Sequence, residues 1–316
     1  METVGILGID IATVTGDGLR ERLVSFLKSD QTQVVGKVPA EFVVRSLRDP
    51  GFRAYLQGCD LNVADGVGVL WAARFLTLRS TKVPVLKHIQ VLWQAAYTLA
   101  SVVLRPSFCR YPIPEQLRGL QAFHVMLAAA EEAGAPVYFL GAKADVNREA
   151  RAELARQFPK LTIAGGHDGY ALDDTVTREI DRSGASLLIV AMGSPRQEYW
   201  IRDHLPQLKQ VRVAVGEGGT LDLIAGDYRL TPTWMQRVGL EWLWRLFMHR
   251  DNKSGGDSRA RRVWNAVPVF ICHTVRWKLA HGPAATTERP PADGPASAKG
   301  RRSSEGRAPT KGRAGR

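Results

Sequence analysis

Cysteine is scarce in this sequence. Cys59, Cys109 and Cys272 are the whole complement of 316 residues, widely spaced, with no C-x-x-C and no histidine at metal-ligand spacing. That excludes a disulfide framework and a thiolate metal site, and reads as three free thiols in a reducing compartment. No run of about 18 uninterrupted apolar residues occurs, so no conventional spanning helix is expected; the stretch Ile89 to Leu104 comes nearest. The opening METVGILGID has neither a basic segment nor a long apolar one, which argues against a secretory signal and for a cytoplasmic protein. No G-x-G-x-x-G separates the first apolar segment from its helix, which disfavours a nicotinamide dinucleotide fold.

Excess charge is absent from most of the chain. The net charge is +12, yet residues 1–228 hold 25 basic and 25 acidic side chains. Residues 229–280 hold 10 basic against 3 acidic, and residues 281–316 hold 8 against 3. A neutral body with a basic C-terminal end suits an anionic surface such as lipid or nucleic acid. Nucleic acid is disfavoured, because the basic tail lacks interleaved aromatic residues.

The length and the 45% hydrophobic content supply a full core for one large α/β domain or two smaller ones. Gly5 to Ala12 reads as a buried strand, followed by a helix with Leu19, Leu23, Phe26 and Leu27 on one face. Glu41 to Leu56 looks helical, Leu61 to Ala64 is a short strand, and a helix runs through Leu70 to Phe75. Strands are then expected at Val137 to Leu140, Leu161 to Ala164, Leu187 to Ala191 and Val211 to Val215, alternating with helices at Asn147 to Phe158, Asp174 to Ser183 and Gln197 to His204. Strands separated by helices mean crossover connections and a doubly wound, mostly parallel sheet of α/β class.

The expected organisation is a core over residues 1–228, a helical insertion at 77–109, a basic amphipathic appendage at 229–280 and a disordered basic tail at 281–316. The insertion reads either as a core helix or helical hairpin or as a membrane-surface helix, since Gln90, Gln94, Tyr97 and Ser101 leave it semi-apolar. In the appendage, Met235, Val238, Trp242 and Leu246 fall at helical spacing, and Arg259 to Lys278 repeats the mixture of arginine and tryptophan. It is either a membrane-contacting element or a helical hairpin packed on the body.

Ligands in an open parallel sheet bind beyond the carboxyl ends of the strands. Four clusters follow expected strands and so share one rim: Ala64-Asp65-Gly66, Phe139 to Lys143, Gly193 to Glu198, and Gly216 to Asp222. Such loops allow close backbone approach and present N–H groups to a phosphate or pyrophosphate. Each also has an ordinary reading. Asp65-Gly66 is a common turn, Pro195 with Gln197 and Glu198 opens and caps a helix, and Gly216, Gly218 and Gly219 could be packing glycines.

Taken in order, LGIDI near the start, ADGVGVLWAARF (64–75), YFLGAK (138–143), FPKLTIAGGHDGY (158–170), MGSPRQEYWI (192–201), VGEGGTLDLIAG (215–226) and RLTPTWMQRVGLEWLWRL (229–246) resemble the WecG/TagA/CpsF family of bacterial glycosyltransferases, glycosyltransferase family 26. The resemblance runs from about Val4 to Arg262, interrupted by Thr77 to Cys109. It implies a Rossmann-like fold of the GT-E type and an inverting, metal-independent enzyme that needs no cofactor. The implied reaction moves a hexose or N-acetylhexosamine from a UDP-sugar to a polyprenyl-diphosphate-linked sugar in teichoic-acid, capsule or exopolysaccharide assembly. The implied location is the inner face of the cell membrane, with self-association as a family trait. The sequence contains no D-x-D, consistent with leaving-group charge met by arginines and helix N-termini.

By the same resemblance Asp65 matches the catalytic aspartate, the general base for the acceptor hydroxyl. Gln197 matches a residue that helps to bind the nucleotide sugar. The substrate-binding set is completed by Gly141, Arg196, Gly216, Gly218, Gly219 and Asp222, with Arg229, Arg237 and Arg245 brought from the appendage. Two blocks depart from the family. Its T-x-N-x-E reads Lys37-Val38-Pro39-Ala40-Glu41, and the arginine of its P-E-R block is Gln116, with Arg118 two positions on. Lys37 and Arg118 are therefore expected to take up charge on the diphosphate. The alternative function is a weakened relative that binds nucleotide sugar or lipid-linked sugar as a scaffold in an assembly complex.

Overall fold

The computed structural model describes residues 1–170, 172–226, 232, 235 and 263–288. Most of the expected appendage, with Arg229, Arg237 and Arg245, and the tail from residue 289 onward lie outside the described residues.

The expected first strand is in fact a hairpin. β1 (Glu2–Ile6) and β2 (Ile9–Ala12) pair antiparallel, with Ile6 opposite Ile9. The two residues between them, Leu7 and Gly8, both have positive φ, 52° and 87°. That is the backbone a two-residue hairpin turn demands, and it is invisible in a continuous apolar run. α1 (Gly16–Leu27) follows, capped by Thr15, which accepts from the Gly18 N–H.

The main sheet has six strands, all parallel. They are β3 (Gln33–Val38), β4 (Leu61–Ala64), β5 (Val137–Gly141), β6 (Ile163–His167), β7 (Leu187–Ala191) and β8 (Val213–Gly216), in the spatial order β4-β3-β8-β7-β5-β6. The doubly wound, Rossmann-like α/β class is therefore as expected. β3, an inner strand, was not anticipated, because Gly36 and Lys37 break its apolar run. β6 lies two to three residues beyond its expected span, since Gly165 and Gly166 are poor strand formers held by pairing to β5.

Alternate side chains along each strand feed two cores. Val35, Val63, Phe139, Ile189 and Val215 face α1 and α6 (Gly119–Ala133), where Leu19, Leu23, Phe123 and Met126 are buried. Val38, Tyr138, Leu140, Val190 and Ala214 face the other side, against the hairpin and α2 (Ala40–Ser46), α3 (Pro50–Gly58) and α4 (Val67–Thr77). A sheet buried on both faces is what apolar strands such as LLIVA require. The single helix expected over Glu41 to Leu56 is two, because Pro50 cannot continue one and Asp49 caps the next by accepting from the Phe52 N–H at 3.0 Å.

The insertion is one long helix, α5 (Pro84–Leu104), closed by a short turn at Pro106–Cys109. The first face, with α1 and α6, is completed by α7 (Ala144–Gln157) and the short α10 (Thr220–Ile224), and the second by α8 (Asp174–Arg182) and α9 (Arg196–His204). Residues 263–269 lead into α11 (Phe270–His281), which packs on the body: Phe270, Thr274 and Lys278 are buried, and the Lys278 ammonium donates to Gln94 Oε1 at 2.8 Å and to the Phe75 carbonyl. Over this stretch the described helix packs on the body. The boundary drawn at residue 281 by composition falls too early, because β9 (Thr286–Glu288) adds to β1 as a third antiparallel strand.

Candidate active site

The parallel sheet sets the carboxyl ends of its strands along one rim, and the order of strands decides what meets there. β4 and β3 are neighbours, so Asp65, just past β4, lies beside the end of β3, and its N–H donates to the Val38 carbonyl at 3.1 Å. Lys37, on β3, and Glu217, just past β8, meet across the next strand boundary. The Lys37 ammonium donates to Glu217 Oε2 at 2.6 Å and to the Gly119 carbonyl at 2.9 Å. Both side chains are nearly sealed from water, at 6% and 0% exposure.

Burial pushes the Glu217 carboxyl above the usual range; the Lys37 charge and the Thr220 hydroxyl pull it back down, and the nearby Asp65 charge adds to the upward push. Asp65, Lys37 and Glu217 therefore form one electrostatic unit. Lys37 was expected to face a diphosphate; its ammonium is turned inward and balances Glu217. Arg118 stands beside this unit as the residue that opens α6, next to Gly119. Gln116 is half-buried two residues earlier, and Glu115 accepts from the Gly16 N–H at the start of α1.

Further along the rim, Gln197 is buried and braces two loops at once. Its Oε1 accepts from the Gly193 N–H at 3.1 Å and the Gly218 N–H at 2.9 Å, and its Nε2 donates to Glu198 Oε1 at 2.8 Å. The expectation that Gln197 reaches back over the start of its helix holds. Glu198 is buried beside Gln197, and burial raises its carboxyl pKa while hydrogen bonds from Gln197, Ser194 and its own N–H lower it. Gly216 is a packing glycine, since a Cβ there would come within 2.5 Å of Gln197 Nε2. Gly218 adopts φ +55° with open space around it, Gly219 opens α10, and half-buried Asp222 sits in that helix.

Gly141 lies at the far end of this line. Its φ is +124° and a Cβ would strike the Ala191 carbonyl, so only glycine fits against β7 there. It is four strand positions from Asp65, about 19 Å at ordinary strand spacing. Exposed Arg196, at the N-terminus of α9, reaches across to the Gly169 carbonyl at 2.5 Å. The described residues thus bring Asp65, Lys37, Arg118, Gln116 and Glu217 to one end of the rim and Arg196, Gln197 and the glycine loops to its middle and far end. Arg229, Arg237 and Arg245 lie outside the described residues. A separate depression of about 540 Å³, lined by Tyr138, Arg178, Glu179 and Arg182, opens at the opposite edge of the sheet from Asp65.

This rim belongs to a chain whose residues 4–100 and 99–283 match the model of the glycosyl transferase WecG/TagA/CpsF family. The chain belongs to that family. It is a glycosyltransferase. Among its relatives are two proteins named N-acetylglucosaminyldiphosphoundecaprenol N-acetyl-beta-D-mannosaminyltransferase. The one from Bacillus subtilis (strain 168) is 25% identical over 217 residues, 68% of this chain and 72% of its own length. The one from Bacillus spizizenii (strain ATCC 23059 / NRRL B-14472 / W23) is 26% identical over 273 residues, 84% of this chain and 90% of its own.

One acidic residue of the glycosyltransferase rim, Glu217, escaped the sequence reading as a separate element. A signal for Glu217 was present: a lysine inside the apolar run QVVGKV must be buried, and a buried ammonium needs a counter-charge. Among the described residues no helix is long and apolar enough to cross a membrane.

Proposed function

We propose that this glycosyltransferase moves a hexose or N-acetylhexosamine from a UDP-sugar to a polyprenyl-diphosphate-linked sugar, with inversion and without a metal, in cell-surface glycan assembly at the inner face of the membrane. The observation that carries the reading is the position of Asp65. It is a half-buried carboxylate at the carboxyl edge of a doubly wound sheet, beside a buried ion pair and at one end of a line of glycine loops. The names of the two relatives support the acceptor class.

In this scheme the donor lies along the middle of the rim, and the acceptor enters at the β4 end. Asp65 takes the proton of the acceptor hydroxyl as its oxygen bonds to the anomeric carbon, and the bond from that carbon to the diphosphate oxygen breaks on the opposite face. The charge that develops on the departing UDP is met by Arg118, Arg196 and the N-terminus of α9, with Arg229, Arg237 and Arg245 adding to it. Lys37 acts through Glu217, holding a cation close to Asp65 without contacting the donor. Gln197 acts by fixing the loops at Gly193 and Gly218.

The test is UDP release from a panel of UDP-sugars by purified protein, with a short-chain prenyl-diphosphate sugar as acceptor, in EDTA. The expected result is acceptor-dependent release that survives EDTA and falls about 100- to 10,000-fold in Asp65→Asn. Donor binding without turnover on any acceptor of this class would replace the reading with that of a scaffold protein.

A further inference from the structure

α5 carries apolar side chains on its outer face as well as its inner one. The face it turns to the body is mixed, with Val91, Ala95, Leu99 and Val102 packed on the core and the polar groups between them answered: Gln94 donates to the Arg79 carbonyl at 2.8 Å and accepts from Lys278, and Thr98 accepts from the Trp71 indole at 2.9 Å. The face it turns away is apolar along most of its length, with exposed His88 at its edge. Leu86, Ile89, Leu92, Trp93 and Leu104 recur at helical spacing and are each between 56% and 82% exposed. A helix on the surface of a water-soluble domain carries polar side chains on that face. A continuous outward stripe of this kind marks a surface meant to be covered.

Charge says what covers it. Between Asp65 and Glu115 the chain has no acidic residue at all, while it carries Arg74, Arg79, Lys82, Lys87, Arg105 and Arg110. Arg79, Lys82 and Lys87 lie at or just before the start of α5, and Arg105 and Arg110 follow its end, so an apolar stripe is flanked by cations at both ends. Trp93 stacks on Tyr97 along the stripe, with ring centroids 5.2 Å apart. An apolar face with aromatic rings and basic ends is the pattern of a helix lying in the interface of an anionic bilayer. A second copy of this chain fits poorly, because pairing two such faces sets like charges together with no acid in the stretch to offset them.

We propose that α5 is the lipid-docking helix of this protein, lying flat on an anionic membrane with its Leu86, Ile89, Leu92 and Trp93 face among the acyl chains. The proposal deepens the reading of a lipid-linked acceptor. α4 starts two residues after Asp65 and α5 packs against it, so a single helix connects the docked face to the catalytic rim. Trp264, 63% exposed, opens the segment whose Ala266 and Phe270 lie beside Gly68 of α4.

The experiment is flotation of the full-length protein with vesicles of phosphatidylglycerol and phosphatidylcholine, and with phosphatidylcholine alone, in the absence of donor and acceptor. Wild type is expected to float with the anionic vesicles and to be released by high salt. Ile89→Glu/Trp93→Glu is expected to lose about tenfold or more in partitioning, with an unchanged unfolding midpoint and unchanged turnover of a water-soluble acceptor. Brominated lipid should quench wild type more than Trp93→Phe, which reports Trp93 itself without a disruptive charge. Equal flotation of wild type and the double variant, or equal quenching of wild type and Trp93→Phe, would overturn the proposal. So would a dimer in light scattering that the double variant dissociates while neither protein binds vesicles, which would make the face a protein interface. Vesicle binding that behaves as expected in a protein without transferase activity would leave this inference standing and remove the proposed reaction instead.

Discussion

The Lys37 ammonium and the Glu217 carboxylate meet where water is nearly absent, so each is the other's main compensation for lost hydration. Removing one partner of such a pair leaves an uncompensated buried charge and costs about 3–5 kcal/mol, whereas replacing both with apolar side chains is often neutral. Lys37→Met is therefore expected to lower stability by about that amount in urea unfolding, and Lys37→Met/Glu217→Met to recover most of it. The same pair of variants separates two roles. If Lys37 works through Glu217, the double variant keeps its donor KM; a donor KM that rises in the stable double variant would show the ammonium contacting the diphosphate directly. At this scale the sequence was half legible. Asp65 could be placed on the rim because it follows a strand, while its role as the base came from the family resemblance, since a strand, an acid and a glycine in a row read equally as a turn. Glu217 could not, because it sits in a glycine loop that reads as solvent-facing, and the lysine that makes it necessary is 180 residues away in the chain.

Elements were legible where their periodicity was local. LLIVA and VYFLG announce buried strands by themselves, and α8 and α9 fall within a residue or so of their expected spans. α11 was harder, since its alternation of Arg, Trp and Lys suits a lipid surface as well as a packed helix, and only the position of its partners decides. Lys278 is the deciding contact, buried between the Phe75 carbonyl, the Phe75 ring at 4.3 Å and Gln94. Burial, with the Arg74 charge adding to it, brings its pKa down to about 8 from 10.5. The sign of the consequence follows from proton counting. Between about pH 8 and 10.5 the unfolded chain holds the Lys278 proton and the folded one has released it, so stability from this group rises with pH across that window. Below pH 8 both states hold the proton and the slope vanishes. Urea midpoints taken at intervals from neutral to alkaline pH should climb more steeply above pH 8 in wild type than in Lys278→Met. Parallel curves would mean that Lys278 keeps its proton at high pH in the folded state.

The whole molecule is closed by a contact between the two ends of the described chain. β1 is flanked by β2 on one side and by β9 on the other, with Thr3 opposite Thr287 and the two hydroxyls 3.3 Å apart. The doubly wound class was readable because it follows from repeated local alternation, and each strand-helix step adds to the same inference. This closure was not readable, because Thr286-Thr287-Glu288 has no apolar member and follows a glycine and proline-rich bend that composition assigns to a tail. All three side chains are exposed, so β9 is held by backbone pairing and the threonine contacts, together with the Ala284 N–H donated to the Leu76 carbonyl at 2.9 Å. Proline at 286, 287 and 288 together would remove every amide donor of β9, whose own side chains are already exposed. Thr3, only 2% exposed, would then face solvent along an unpaired strand edge. Each net backbone hydrogen bond contributes about 1 kcal/mol, and that amount moves a midpoint by about 2–4 °C in a domain of this general size. The triple-proline variant is therefore expected to unfold a few degrees below wild type in calorimetry, with its rate on a water-soluble acceptor unchanged, because β1 and β9 form a sheet separate from the one that carries the rim. A midpoint equal to wild type would show that β9 adds nothing to the fold, and a lost rate at an unchanged midpoint would tie this second sheet to the site.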